Sequence, residues 1–184
     1  LKINDKTIII LFSDHGTSLG EKKGEKFYGV FVYDYTVNVF CMLKIPNTEK
    51  KVINKQCRTI DLFPTILDLA KISKESMLEL RGESLISFLE NPNEEERNVF
   101  VETGGLYGPW PSPDKHNVFC IKSNGKKLIF NETPKTWEFY NLKLDSEEKN
   151  NIYDKNSEDV KNLKKLLINY MIENNIDSSL INTN

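Results

Sequence analysis

Behind the five apolar residues Ile8-Ile9-Ile10-Leu11-Phe12, separated from them only by Ser13, the chain places a carboxylate, an imidazole and a glycine: Asp14, His15 and Gly16. A continuous aliphatic run of this length predicts a strand covered on both faces, as in the parallel sheets of α/β proteins. Ligands of open α/β sheets bind beyond the carboxyl ends of the strands. Asp14 and His15 therefore fall where chemistry is usually done. A carboxylate beside an imidazole can hold one divalent ion if the backbone turns sharply between them, and Gly16 allows close backbone approach. Taken alone, the triplet fits a plainer reading equally well, with Asp14 capping a turn and His15 hydrogen-bonded within a loop.

Two further stretches carry candidate chemistry. The loop after Gly16 holds Lys22, Lys23 and Lys26 interleaved with Glu21 and Glu25, mostly a self-neutralised solvated surface. One lysine of this loop, held near a metal, would give an anionic substrate a second positive contact. The stretch "ETGGLYGPWPSPDKHN", from Glu102 to Asn117, is stiff with proline and bears Trp110 and His116. Loops of this kind shape substrate pockets, which makes Trp110 and His116 candidate substrate-binding residues. An ordered connection packing its own Tyr107 and Trp110, with His116 capping the next strand, explains the same composition.

The elements that must position these residues follow from pattern. Val37, Val39, Cys41 and Leu43 alternate into a second strand that Pro46 closes. "CRTIDLFPTILDLAKI" predicts a helix with Asp61 as N-cap, Pro64 in its first turn and an inner face of Ile66, Leu67, Leu69 and Ala70. "RGESLISFLEN" predicts a short helix capped by Ser84 or Glu83. Beyond residue 97 the texture turns to short strands: "VFVET", "NVFCIKS", "KKLIFN" and "WEFYNL". Asn124-Gly125 between the second and third is a hairpin signal. The last element begins near Ser157, with Val160, Leu163, Leu166, Leu167, Tyr170 and Met171 as its apolar stripe.

Composition bounds the function. The 184 residues are 39% hydrophobic and 28% charged, with a net charge of -2, which offers no footprint for nucleic acid or an anionic membrane. No apolar run approaches the roughly 20 residues of a membrane span. Cys41, Cys57 and Cys120 are odd in number and lack C-x-x-C spacing, so free thiols are expected rather than disulfides or a zinc knuckle. The chain starts on Leu1 and reaches a central-type strand within about ten residues, which predicts the carboxyl-terminal portion of a larger protein.

Five blocks in collinear order carry a resemblance: "TIIILFSDHGTSLGEK", "YDYTVNVFCMLKIP", "IDLFPTILDLAKI", "LRGESLISFLE" and "KLIFNETPKTWEFYNLKLDSEEKNNI". Together they resemble the latter half of a sulfatase, a branch of the alkaline phosphatase superfamily. The resemblance implies an α/β fold, the C-terminal part of an alkaline-phosphatase-like sulfatase, with a small antiparallel sheet packed by a C-terminal helix. It implies that residues 1–97 belong to the catalytic α/β domain and residues 98–184 to a C-terminal subdomain. It further implies a divalent metal, usually calcium, with Asp14 and His15 as two of its ligands. Lys26, a dozen positions after Asp14, is implied to hold the sulfate, with Lys22 as the fallback. The implied partners are a sulfated small molecule or glycan as substrate and the remainder of the sulfatase domain.

The chain departs from a working sulfatase in two respects, lacking both the nucleophile motif and the early aspartate pair. The formylglycine nucleophile arises from a Cys or Ser in a C-x-P-S-R-like motif, and no such motif occurs here; Cys57-Arg58-Thr59-Ile60 lacks both residues and spacing. Formylglycine and the early aspartate ligands are expected upstream, so this portion alone is expected to be inactive. Two alternatives stay open. A phosphatase, phosphodiesterase or phosphoethanolamine transferase of the same superfamily would use zinc or manganese at the same Asp-His pair. A non-catalytic partner chain would use the pair for structure only.

Overall fold

The computed structural model describes residues 3–22, 31–73, 80–91, 93–103 and 117–181. Two compact units emerge, Leu1–Ile9 with Lys44–Val99, and Ile10–Leu43 with Phe100–Asn184. The division expected from sequence fell at 97/98. In the structure the stretch Ile10–Leu43 groups with the residues from Phe100 onward.

In the first unit, helix α2 (Leu62–Leu69) buries Leu62, Pro64, Thr65 and Leu67. Ile66 is 44% exposed and Ala70 is exposed, so the inner face is turned toward the amino-terminal side of the one expected. The cause is Asp61. Fully buried, it accepts the Arg58 N–H at 3.1 Å and closes a capping box on the 3-10 turn before α2. It also takes Arg58 Nη2 at 2.8 Å and Arg97 Nη1 at 3.0 Å. Arg97 in turn donates to the Glu83 and Ser84 carbonyls at 2.7 and 2.9 Å, tying helix α3 (Ile86–Glu90) to the same centre. Ser84 Oγ accepts the Ile86 N–H at 3.3 Å, but the residue at the cap position of α3 is Leu85 rather than the expected Ser84 or Glu83. Gly82 is required there, because a Cβ would lie 2.1 Å from the Ile60 carbonyl oxygen.

The second unit is built on a four-stranded sheet in the order β3-β4-β5-β6: β3 (Val99–Thr103), β4 (Val118–Ser123), β5 (Lys126–Asn131) and β6 (Thr136–Asn141). The β4–β5 and β5–β6 pairs are antiparallel, with Ser123 opposite Lys126 and Asn131 opposite Thr136. Asn124 at φ 51° and Gly125 at φ 73° make the tight hairpin that the Asn-Gly pair predicts. Helix α4 (Glu158–Glu173) buries Val160, Leu163, Leu167 and Met171 against Phe119, Ile121, Leu128 and Phe130 on one face of the sheet. Each such side chain contributes about 1.5–3 kcal/mol on burial. The opposite face is covered as well: Val32 and Tyr33 pack on Val118, Cys120, Ile129 and Tyr140.

Strand β1 (Ile9–Phe12) pairs with β2 (Cys41–Lys44) in a separate two-stranded sheet. Two expectations are corrected here. The aliphatic run forms a strand but is not covered on both faces: Ile9, Leu11 and Phe12 are about half exposed, at 48, 51 and 47%. Burial on both faces needs layers packed above and below a sheet, and β1 and β2 form a sheet of two strands alone among the described residues. The second strand is also shorter than its alternation suggests, because Asp34–Val37 forms a single helical turn, α1, ahead of it.

Candidate functional site

Asp14 and His15 follow directly from β1, exposed, with side-chain accessibilities of 83 and 48%. Asp14 Oδ1 accepts the His15 backbone N–H at 2.9 Å, folding the carboxylate back over its own turn. The Gly16 carbonyl lies 2.7 Å from His15 Nδ1. A carbonyl only accepts, so Nδ1 carries the proton there and Nε2 is the basic nitrogen of the neutral ring. Nε2 stands 3.5 Å from Asp14 Oδ2. That separation suits two donors of one ion: about 2.1 Å from a tetrahedral centre, or about 2.4 Å at right angles around a larger one. The chemistry of the pair, one oxygen and one nitrogen, fits a divalent cation. Among the described residues no set of three or more His, Cys, Asp or Glu side chains gathers around a metal position.

Gly16 fixes the turn. Its N–H donates to the Thr36 carbonyl at 2.7 Å, and a Cβ here would lie 2.1 Å from the Tyr35 carbonyl oxygen. The Asp-His-Gly turn thus lies against α1. Thr36 stabilises that helical turn in return, its buried hydroxyl within reach of the Tyr33 and Phe31 carbonyls at 2.8 and 3.1 Å. The Ser13 N–H donates to the Phe40 carbonyl at 3.2 Å, closing the other flank.

Beneath α1 lies a charged cluster that sequence reasoning missed. Lys127, fully buried on β5, makes ion pairs of 2.8 Å with both Asp34 Oδ1 and Glu148 Oε1. Lys122 reaches Asp34 Oδ2 at 2.7 Å, and the Asp34 N–H donates to Glu148 Oε2 at 2.6 Å. Burial by itself would raise the Asp34 carboxyl, but the Lys127 and Lys122 ammoniums outweigh it and hold the group below the usual carboxylate range. Burial works likewise against the Lys127 ammonium, and Cys120, Asp34 and Glu148 together raise it above the usual lysine value. Glu148 itself sits at φ 53°, a left-handed conformation that costs a non-glycine residue about 1 kcal/mol or more.

A second network lies alongside. Tyr33 Oη donates to the Glu138 carboxylate at 2.8 Å, Tyr140 Oη donates to it as well, and Asn131 Nδ2 does so at 2.7 Å. Burial chiefly, with Glu138 next, pushes both phenols up, so they stay protonated and can donate to the carboxylate. Lys22 lies over these rings, its Nζ 4.4 Å from the centre of Tyr33 and 5.3 Å from that of Tyr140, and it donates to the Glu148 carbonyl. Of the residues singled out from sequence, the structure brings Asp14 and His15 together and sets Lys22 on the aromatic pair. Lys26, Trp110 and His116 lie outside the described residues. The only sequence signal for the buried cluster was the block from Tyr33 to Pro46, which begins with an aspartate between two aromatics.

An α/β arrangement with a terminal antiparallel sheet under one long helix defines a class of fold, and the comparisons with known proteins agree with it. The model of the N-sulphoglucosamine sulphohydrolase C-terminal region matches residues 24–175, and the chain belongs to this sulfatase family. Among curated relatives, an N-acetylglucosamine-6-O-sulfatase of Bacteroides thetaiotaomicron is 31% identical over 169 residues, covering 89% of this chain and 29% of the relative. An ulvan-active sulfatase of Formosa agariphila is 26% identical over 153 residues, 77% of this chain and 30% of the relative. The crystal structure of a putative sulfatase from Bacteroides thetaiotaomicron superposes with a TM-score of 0.81 at 22% identity, covering 96% of this chain and 38% of that one. The chain thus spans less than a third of the length of these two curated relatives. No helix among the described residues is long and apolar enough to cross a membrane.

Proposed function

We propose that this chain forms the C-terminal part of a sulfatase that hydrolyses sulfate esters, with Asp14 and His15 supplying two ligands to a divalent metal. The observation that carries the proposal is the 3.5 Å approach of His15 Nε2 to Asp14 Oδ2 at a strand end, in a chain that belongs to a sulfatase family. Calcium is the metal that a sulfatase implies, while the imidazole donor would also suit manganese or zinc. When bound, the metal would polarise a sulfate oxygen. In this chain His15 would present Nε2 as ligand through its Nδ1–H bond to Gly16, and Asp14 would supply negative charge. Lys26 is the lysine proposed to neutralise the sulfate oxygens. The engagement of Lys22 with Tyr33, Tyr140 and the Glu148 carbonyl supports this choice. The relatives named for ulvan and N-acetylglucosamine-6-O-sulfate make a sulfated saccharide the substrate class to try first.

The exposed apolar side chains of β1 and β2, Ile9, Leu11, Phe12 and Met42, are proposed to pack against the remainder of a sulfatase domain. The length of the relatives supports this. The experiment is a titration of the metal-free full-length protein with calcium, manganese and zinc, together with turnover of a chromogenic sulfate ester. Asp14→Ala and His15→Ala are expected to lose metal affinity at least tenfold and most of the turnover, and Lys26→Ala to lose turnover with metal affinity kept. Unchanged metal affinity in both ligand variants would refute the reading.

A further inference from the structure

We infer that Lys127, Asp34 and Glu148 act as positioning residues for the Asp14–His15 pair, a role that deepens the metal-site reading above and rests on it. Three features of the fold lead there. First, the cluster is placed to hold both ends of the segment that follows the pair. Lys22, a few residues beyond Gly16, donates to the Glu148 carbonyl, and Asp34, at the far end, gives its N–H to the Glu148 carboxylate at 2.6 Å. Glu148 is therefore held by both Lys22 and Asp34, and it has a left-handed backbone at φ 53°. Strain of this kind persists only where the surroundings over-determine it.

Second, the path from the cluster to the pair is short and made of backbone. Asp34 opens α1, the Thr36 carbonyl in the same turn accepts the Gly16 N–H at 2.7 Å, and the Gly16 carbonyl takes His15 Nδ1 at 2.7 Å. The helical turn is too short to be stable by itself. Its geometry is set by Lys127 and Lys122 on the Asp34 carboxylate, at 2.8 and 2.7 Å. Shifting Asp34 would shift Thr36, and through Gly16 the orientation of the imidazole.

Third, a fully buried lysine between two carboxylates is poor value as a source of stability. Apolar side chains of similar volume would fill the space at less desolvation cost. What the ion pairs provide is a fixed place for Asp34 against β4 and β5, the kind of outer support that orients metal ligands.

The test uses the full-length protein in metal-free form, titrated with Mn²⁺ and with Ca²⁺, and compares Lys127→Met, Glu148→Gln and Asp14→Ala. Lys127→Met and Glu148→Gln are expected to bind metal about tenfold or more weakly. Raising the metal concentration should restore their kcat for a sulfate ester while KM stays unchanged. A purely structural role would lower the melting temperature but leave the metal affinity of the folded protein alone. Should Lys127→Met fail to fold, Glu148→Gln, which keeps an acceptor for the Asp34 N–H, carries the comparison. If Asp14→Ala loses affinity while the folded cluster variants stay within about twofold of the parent, the positioning role is overturned and the metal reading stands. If Asp14→Ala keeps its affinity, the metal reading fails and the inference falls with it.

Discussion

Gly16→Ala is the substitution whose consequence is most closely fixed by geometry. The added Cβ would meet the Tyr35 carbonyl oxygen at 2.1 Å, its carbon at 3.0 Å and the Thr36 Cα at 3.3 Å. All three are backbone atoms of α1, so no side chain can swing aside. Relief requires the Asp-His-Gly turn and α1 to separate by about 1 Å, given ordinary contact distances. That separation breaks the 2.7 Å bond from the Gly16 N–H to the Thr36 carbonyl. The lost bond costs about 1 kcal/mol, and the overpacking about 1–3 kcal/mol. Reduced freedom of the unfolded chain returns about 0.4–1 kcal/mol. The net loss is about 1–3.6 kcal/mol, measured by urea unfolding followed through Trp137 fluorescence in a Trp110→Phe background. Gly20→Ala is the control: no atom lies within 4 Å of its Cβ, and its φ of +103° makes backbone strain the whole cost. It should lose stability without disturbing the His15 ring, whose NMR signals should move only in Gly16→Ala. A Gly16→Ala variant within about 0.5 kcal/mol of the parent would refute the contact argument.

Two further outcomes are expected. Because Asp34 has a depressed carboxyl in the folded chain, the unfolded state takes up its proton first as pH falls. The stabilisation is complete above the ordinary aspartate value of about 3.9 and is lost as pH drops through the lower folded value. Acid unfolding curves should therefore show a component below about pH 4 that Asp34→Asn removes; identical acid limbs in parent and variant would contradict this. Cys120, buried and pushed up to about 12 chiefly by burial, should resist a thiol reagent at neutral pH until the chain is denatured, whereas the exposed Cys57 reacts in the native protein. Labelling of Cys120 in the native protein, followed by mass spectrometry of its peptide, would show that the face beneath Tyr33 is open.

What the sequence alone determined is local. The Asn124-Gly125 hairpin was legible because two residues must take positive φ and those two do so readily. The α4 stripe was legible because period 3.6 leaves Val160, Leu163, Leu167 and Met171 on one side. The position of Asp14 and His15 at a strand end was legible because polar residues follow an aliphatic run after a single serine. The sulfatase family followed from five blocks in order. What the tertiary structure decided is where each face meets another. Lys127 follows Lys126 at the start of β5, and nothing in the sequence marks one of these two lysines for burial. Lys127 is fully buried, because the segment from Val32 to Asp34, nearly a hundred residues earlier, covers its face of the sheet and brings a carboxylate to it. Asp61 became a buried ion-pair centre rather than a simple cap for the same reason, since Arg97 arrives from across the unit. The aliphatic strand β1 erred in the other direction, apolar enough for two covered faces yet half exposed with β2 as its partner. Periodicity records how a chain is ordered along itself, while burial and charge pairing depend on which distant segment packs against it.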